Sequence, residues 1–192
     1  MGDLELRRIG VDGLEAIRPV LLDVYAEVYA DDLDDPFSTV ERFDERLTGH
    51  ASRNTWECVI AYDGDAPAGY VYGSALQPGA RWWLHQLEPL PEDLTEETGH
   101  RTLAVFELMI RAPWRGEGLG KRLHESLLSG RTEERATLLC DNERTKAMYE
   151  SWGYRHIGDQ IPFPDAPLFH TMVRRLRSSQ TTPMAGGSVV TR

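Results

Sequence analysis

The sequence predicts a single α/β domain built on a mixed central sheet with helices on its faces. Three observations carry that expectation. Segments with apolar residues at helical spacing are interspersed with short strand-length apolar runs. Residues 103–110 (LAVFELMI) are apolar on both faces apart from Glu107, as a strand in the middle of a sheet is. That run leads directly into a glycine-rich turn, RAPWRGEGLG, and then into a helical pattern. At 192 residues the chain is long enough for one well-filled core.

The elements follow in order. Residues 4–9 (LELRRI) alternate weakly and read as a first strand. Leu14, Ile17, Leu21, Val24, Tyr25 and Val28 fall on one helical face within residues 12–30, with Asp12 placed as N-cap. The charged DDLDDP segment is a loop ending at Pro36. A second helix starts at Ser38 or a neighbour, runs through Val40, Phe43 and Leu47, and is closed by Gly49. Residues 55–62 and 68–76 form a hairpin around Asp63-Gly64. Residues 77–101 are proline-rich and acidic, with Trp82 and Trp83 near the front; so long a connection is usually functional or disordered. After the strand at 103–110, Leu119, Leu123 and Leu127 mark a helix that ends near Gly130. Residues 135–140 make another strand. A short helix covers about 142–152 and stops at Gly153, and strands at 153–159 and 167–175 finish the domain. The domain thus spans 1–176, and the polar, Gly-containing tail 177–192 is expected to be disordered.

Composition narrows the partners. Acids outnumber bases 31 to 21, for a formal charge of −10. Nucleic acids and anionic membranes call for clustered Lys and Arg, so neither is expected as a partner. No apolar run approaches the roughly 20 residues of a membrane span. The first residues carry acids and no apolar leader, which predicts a cytoplasmic protein. Cys58 and Cys140 sit in apolar stretches and read as buried free thiols. The six histidines show no metal-ligand spacing, and no metal is expected.

The chemistry concentrates in residues 110–121, IRAPWRGEGLGK. Gly116, Gly118 and Gly120 lack Cβ atoms, which lets a ligand approach the backbone. The first amides of the following helix lack internal partners and carry partial positive charge, making an anion site suited to a phosphate or diphosphate. Arg115 and Lys121 add charge. The Walker A pattern fails, because positions 115 and 122 are both arginine, and the dinucleotide pattern G-x-G-x-x-G fails because Lys121 stands where its third glycine belongs.

The segment resembles the acetyl-CoA loop of the GNAT superfamily of N-acetyltransferases, whose [QR]-x-x-G-x-[GA] pattern is met by Arg115, Gly118 and Gly120. Asn142, Thr145, Tyr149, Gly153 and Tyr154 are similar to the family's N-x-x-A-x-x-x-Y-x-x-x-G-F segment, with Thr for Ala and Tyr for Phe. The order of elements agrees as well. The resemblance implies a GNAT-like fold whose central parallel strands splay apart, with acetyl-CoA as acyl donor and no metal. It implies that Leu108, Met109, Ile110 and Arg111 lie along the pantetheine arm. The backbone of Arg115, Gly116, Glu117, Gly118, Leu119, Gly120 and Lys121 would hold the diphosphate, with Asn142 bonding the arm or simply capping a helix.

Catalysis would then fall to Tyr149, placed by the resemblance beside the sulfur as general acid; a core tyrosine is the other reading. Glu107 is the candidate base, since a carboxylate in a buried strand needs a partner or a wet cleft, and a salt bridge to arginine is its alternative. Water-mediated proton removal would make a protein base unnecessary. The acceptor is expected to be a small-molecule primary amine, with a protein or peptide amine, or an acyl-CoA-binding module without turnover, as alternatives. Its recognition is assigned to Asp31 within the acidic stretch 29–45, to Trp82 and Trp83, and to His170 on the last strand. The protein is expected to be a monomer or homodimer.

Overall fold

A computed structural model describes residues 4–176; the predicted tail 177–192 lies outside the described residues. Seven strands form one sheet: β1 (Glu5–Gly10), β2 (Glu57–Asp63), β3 (Ala66–Ala75), β4 (Thr102–Ile110), β5 (Arg135–Cys140), β6 (Arg155–Gln160) and β7 (Phe169–Arg175). Their order is β1-β2-β3-β4-β5-β7-β6. Every neighbouring pair is antiparallel except β4–β5, which is parallel. The helices are α1 (Leu14–Val28), α2 (Val40–Ala51), the short α3 (Glu92–Thr95), α4 (Leu119–Leu128) and α5 (Glu143–Ser151).

The inner strands are buried on both faces, and their alternation divides the interior in two. Val59, Ala61, Val71, Leu103 and Leu138 pack with Leu123, Leu127 and Tyr149 under α4 and α5. Ile60, Tyr70 and Tyr72 turn the other way and pack with Leu21, Val24, Phe43 and Leu47 under α1 and α2. Period two in the strands thus meets period 3.6 in the helices on each side.

Of three expected helix ends, two are corrected and one holds, since a neighbour of Ser38 starts α2. Asp12 does not cap α1: the chain first makes a 3-10 turn at Val11–Gly13, and Gly13 occupies the cap position without a side-chain bond. Thr39 caps α2, its hydroxyl accepting from the Arg42 N–H at 3.1 Å. Gly49 does not close that helix, which continues to Ala51; the Gly49 carbonyl accepts from the Ser52 hydroxyl at 2.8 Å.

The long connection 77–101 is ordered by a buried hub. Glu97 accepts from the Trp83 indole at 3.0 Å, the Thr102 hydroxyl at 2.7 Å and the Arg135 guanidinium at 3.2 Å. Those bonds tie the connection to β4 and β5. A further backbone bond, from the Leu87 N–H to the Asp159 carbonyl at 2.8 Å, fixes it to β6.

Between β4 and β5 the sheet opens. The two strands share only the pairs Thr102↔Arg135, Leu103↔Ala136 and Ala104↔Thr137, although both run on beyond them. A bulge opposite Tyr72 and Gly73 inserts Phe106 as an extra residue in β4 just past the last pair, and a bulge bends its strand. Gly73 makes the close β3–β4 approach here possible, since a Cβ there would lie 2.4 Å from the Ala104 carbonyl oxygen.

Candidate active site

The opening exposes backbone. The Arg111 N–H bonds to the Ala68 carbonyl of β3 at 3.0 Å. By strand alternation Met109 faces β3 as well, while Leu108 and Ile110 present their amides and carbonyls toward the opening. Arg115 covers part of that edge, its Nε donating to the Ile110 carbonyl at 2.8 Å. Of the four strand residues expected along the pantetheine, Leu108 and Ile110 therefore meet the opening. Met109 is buried in the α1/α2 core, and the Arg111 guanidinium is clamped by Asp23 and Glu27 of α1.

At the end of β4 the chain makes a 3-10 turn, Ala112–Trp114, and swings through the glycines into α4. Gly116 (φ +84°) and Gly118 (φ +81°) hold left-handed conformations, and a Cβ at either would meet nothing within 4 Å. The loop is therefore an open cradle. The first amide to bond back within the helix is that of Arg122, to the Gly118 carbonyl at 3.0 Å. The amides of Leu119, Gly120 and Lys121 precede it with no intrahelical acceptor, at the positive end of the helix dipole. Leu119 contributes its amide alone, because its side chain is buried. Arg115, Glu117 and Lys121 surround the cradle with at least part of each side chain open to solvent. These features fit a diphosphate next to an extended arm, as the coenzyme requires.

On the α1/α2 side the opening leads into a cavity of about 1000 Å³ whose lining includes Glu107, Leu108, Asn142 and Tyr149. Glu107 has no hydrogen-bond partner among the described residues. Burial raises its pKa to about 7; the nearby Arg46 charge opposes that shift and the Asp141 carboxylate adds to it. Near neutral pH it is thus poised to take a proton.

Tyr149, on α5, is 7% exposed and packs edge-on against Trp152, with ring centroids 5.2 Å apart. Burial, and then the nearby Cys140 and Glu107, push its hydroxyl well above the usual tyrosine range, so it stays protonated as a donor. Asn142 caps α5, accepting from the Thr145 N–H at 2.9 Å while its amide donates to Asp141 at 2.8 Å.

The residues assigned to the acceptor divide. Trp82 lines the cavity, edge-on to Phe106 at 5.8 Å, and its indole donates to the Thr137 hydroxyl at 3.2 Å. Trp83, next to it in the 3-10 turn Arg81–Trp83, points away into the Glu97 hub. Asp31 is exposed and outside the lining, whereas Asp32 and Asp35 belong to it. His170 also lies outside it. Its Nδ1 meets Asp159 at 2.7 Å and its Nε2 meets Glu143 at 3.2 Å, with His156 2.8 Å from the same Asp159 oxygen. Strand pairing sets His170 opposite Asp159, so spacing along the chain does not reveal this group of metal-ligand type.

Other cavity residues were not singled out by sequence. Arg46, His50 and Arg53 all line it from α2 and the turn after it. Their signal was the spacing of four and then three residues, which places polar groups on one helical face. The His50 ring stacks flat on Phe106 at 3.8 Å, and burial drives its pKa down to about 3, so it is neutral.

A sequence profile of the Acetyltransferase (GNAT) family matches residues 20–154. The chain belongs to the GNAT acetyltransferase family. As such it is an acetyl-CoA-dependent N-acetyltransferase. Solved GNAT-like structures agree in fold. An acetyltransferase from Thermus thermophilus superposes with a TM-score of 0.61 at 18% identity, over 90% of this chain and 97% of that one. The PaiA N-acetyltransferase from Thermoplasma acidophilum, solved with coenzyme A, gives 0.54 at 12% identity over 91% and 99%. Aminoglycoside 6'-acetyltransferase type Ii gives 0.57 at 16% over 89% and 96%. No curated protein sequence matches this chain. Among the described residues no helix is long and apolar enough to cross a membrane.

Proposed function

We propose that this GNAT acetyltransferase acetylates the primary amine of a small molecule by direct attack on the acetyl-CoA thioester. One observation carries the reading: Glu107 and Tyr149, an unpartnered carboxylate and a protonated phenol, line the same cavity beside the opened β4 edge. Acetyl-CoA supplies an acetyl group already activated as a thioester. The amides of the glycine cradle hold its diphosphate, and the Leu108 and Ile110 backbone aligns its arm.

Glu107 takes the proton from the incoming ammonium, leaving a neutral nitrogen. As the N–C bond forms and the C–S bond breaks, Tyr149 gives its proton to the departing sulfur. A backbone N–H on β4 polarises the thioester carbonyl. The bonded nitrogen gives up its second proton, which passes through solvent to the tyrosinate, and Glu107 releases its own proton to bulk solvent, so both groups are restored. The cavity, about 1000 Å³ and walled by Trp82 and Phe106 among others, has the size of a small-molecule site, which supports a small acceptor.

Thiol release from acetyl-CoA, measured across a panel of small primary amines, tests this. Turnover with at least one amine, lost in the Tyr149→Phe and Glu107→Gln proteins, is the expected result. Thiol release with a peptide N-terminus and none with small amines would overturn it.

A further inference from the structure

The acceptor cavity contains a charge arrangement that the proton chemistry does not use. Arg46 and Arg53 are both half-buried and line the cavity. Arg46 donates to the Phe37 carbonyl at 2.7 Å and to the Tyr25 hydroxyl at 3.3 Å. Arg53 donates to the carbonyls of Gly49 and His50 at 3.3 and 3.4 Å and lies 5.7 Å from the centre of the Phe106 ring. All of these partners are neutral. Neither guanidinium makes an ion pair among the described residues.

Comparison within the molecule shows how unusual this is. Arg18, Arg111, Arg131, Arg135 and Arg174, also largely withdrawn from solvent, each hold at least one carboxylate. The chain has ten more acids than bases to spend on such pairs. A guanidinium stays charged in any protein environment and is costly to desolvate without a counter-ion. Asp32, Asp35, Glu107 and Asp141 line the same cavity, yet none of them forms an ion pair with either guanidinium, which leaves both charges in the lining for an entering anion. A planar fork of this kind matches a carboxylate.

The rest of the wall sets the remaining features. Phe37 has the rings of Phe163 and Phe169 at 6.2 and 6.1 Å from its own centre, and Tyr29, Trp82 and Phe106 line the same cavity. Glu107 supplies the proton-accepting end. Resting on the transferase reading above, we infer that the acceptor is an amino acid with an apolar side chain. Its carboxylate is held by Arg46 and Arg53, its side chain lies on the aromatic wall, and its amine is presented to Glu107. The acetylated product keeps the carboxylate and loses the ammonium charge, which leaves it without the Glu107 attraction and favours release.

The experiment compares matched acceptors: phenylalanine, its methyl ester, and phenethylamine, with leucine and its methyl ester as a second set. The readout is kcat/KM by thiol release. The free amino acid is expected to exceed its ester by about tenfold or more, because a site built for a polar group rejects the analogue lacking it. Arg53→Gln should abolish that ratio and Arg53→Lys should restore part of it. The ratio is unaffected by the fraction of a variant that folds. Equal kcat/KM for acid and ester, or a ratio unchanged in Arg53→Gln, overturns the inference while leaving the transferase reading standing. No thiol release with any acceptor sinks both.

Discussion

Ala104 on β4 and Thr137 on β5 are the last pair that join the two parallel strands. Everything chemical lies just beyond them. Past Ala104 the bulge at Phe106 bends β4, Leu108 turns its edge to the opening, and Glu107 enters the cavity. Thr137 itself receives the Trp82 indole, so the same position also anchors one wall of the cavity.

Glu107 sets the expected pH dependence. With its pKa raised to about 7, it is protonated below neutrality and cannot act as a base there. The kcat/KM profile should fall as pH drops through about 7, and Glu107→Gln should remove that limb along with most of the activity. An unchanged profile in the variant would assign proton removal to water.

The same shift affects folding. The raised pKa means that the folded protein keeps a proton which the unfolded chain releases, across the window from 4.5 to about 7. Stability derived from this group therefore decreases as pH rises through that window and levels off above it. Glu107→Gln should flatten the trend, so that urea unfolding finds the variant gaining on the parent protein between pH 5 and pH 8.

Tyr149→Phe removes the hydroxyl but keeps the ring packed on Trp152 and Tyr154. We expect kcat to fall by about a hundredfold, with little change in the affinity for coenzyme A measured by calorimetry. Equal losses in both would make the residue a cofactor contact instead of an acid.

Gly118→Val places a branched side chain at φ +81°, in the open space proposed to receive the coenzyme's diphosphate. The strain is about 1–2 kcal/mol, and coenzyme A binding should weaken by about tenfold or more. Gly130, past the other end of α4, has φ +79° and similar free space, so Gly130→Val is the control. It should cost comparable stability and leave affinity intact.

Glu97→Ala would leave Arg135 buried without its carboxylate and the Trp83 indole without its acceptor. Denaturant unfolding should show a loss of about 3–5 kcal/mol. Glu97→Gln, which keeps an accepting oxygen, should lose clearly less.

Much of this was legible in the chain. Residues 103–110 announced a buried strand because both faces are apolar, and the glycines after it pointed to a cradle because residues without Cβ atoms leave the backbone open. Glu107 stood out as the one charge in that run. Asp12 and Gly49 misled, since each has the chemistry of a helix end while neighbouring turns moved the actual ends. His170 was unreadable for a different reason. Its face is fixed by pairing with Asp159, and the order of the last strands reverses the order in sequence. Arg46, His50 and Arg53 lie off the apolar stripe of α2, and only the folded arrangement shows which polar side meets a hollow.

The division of the interior into two cores has a corollary. The glycine-rich turn rests on the packing beneath α4 and α5, while much of the cavity wall rests on that beneath α1 and α2. Substitutions that retool one foundation leave the other's footing undisturbed. A change in the cavity wall can thereby be absorbed on one side of the sheet while the turn on the other keeps its shape.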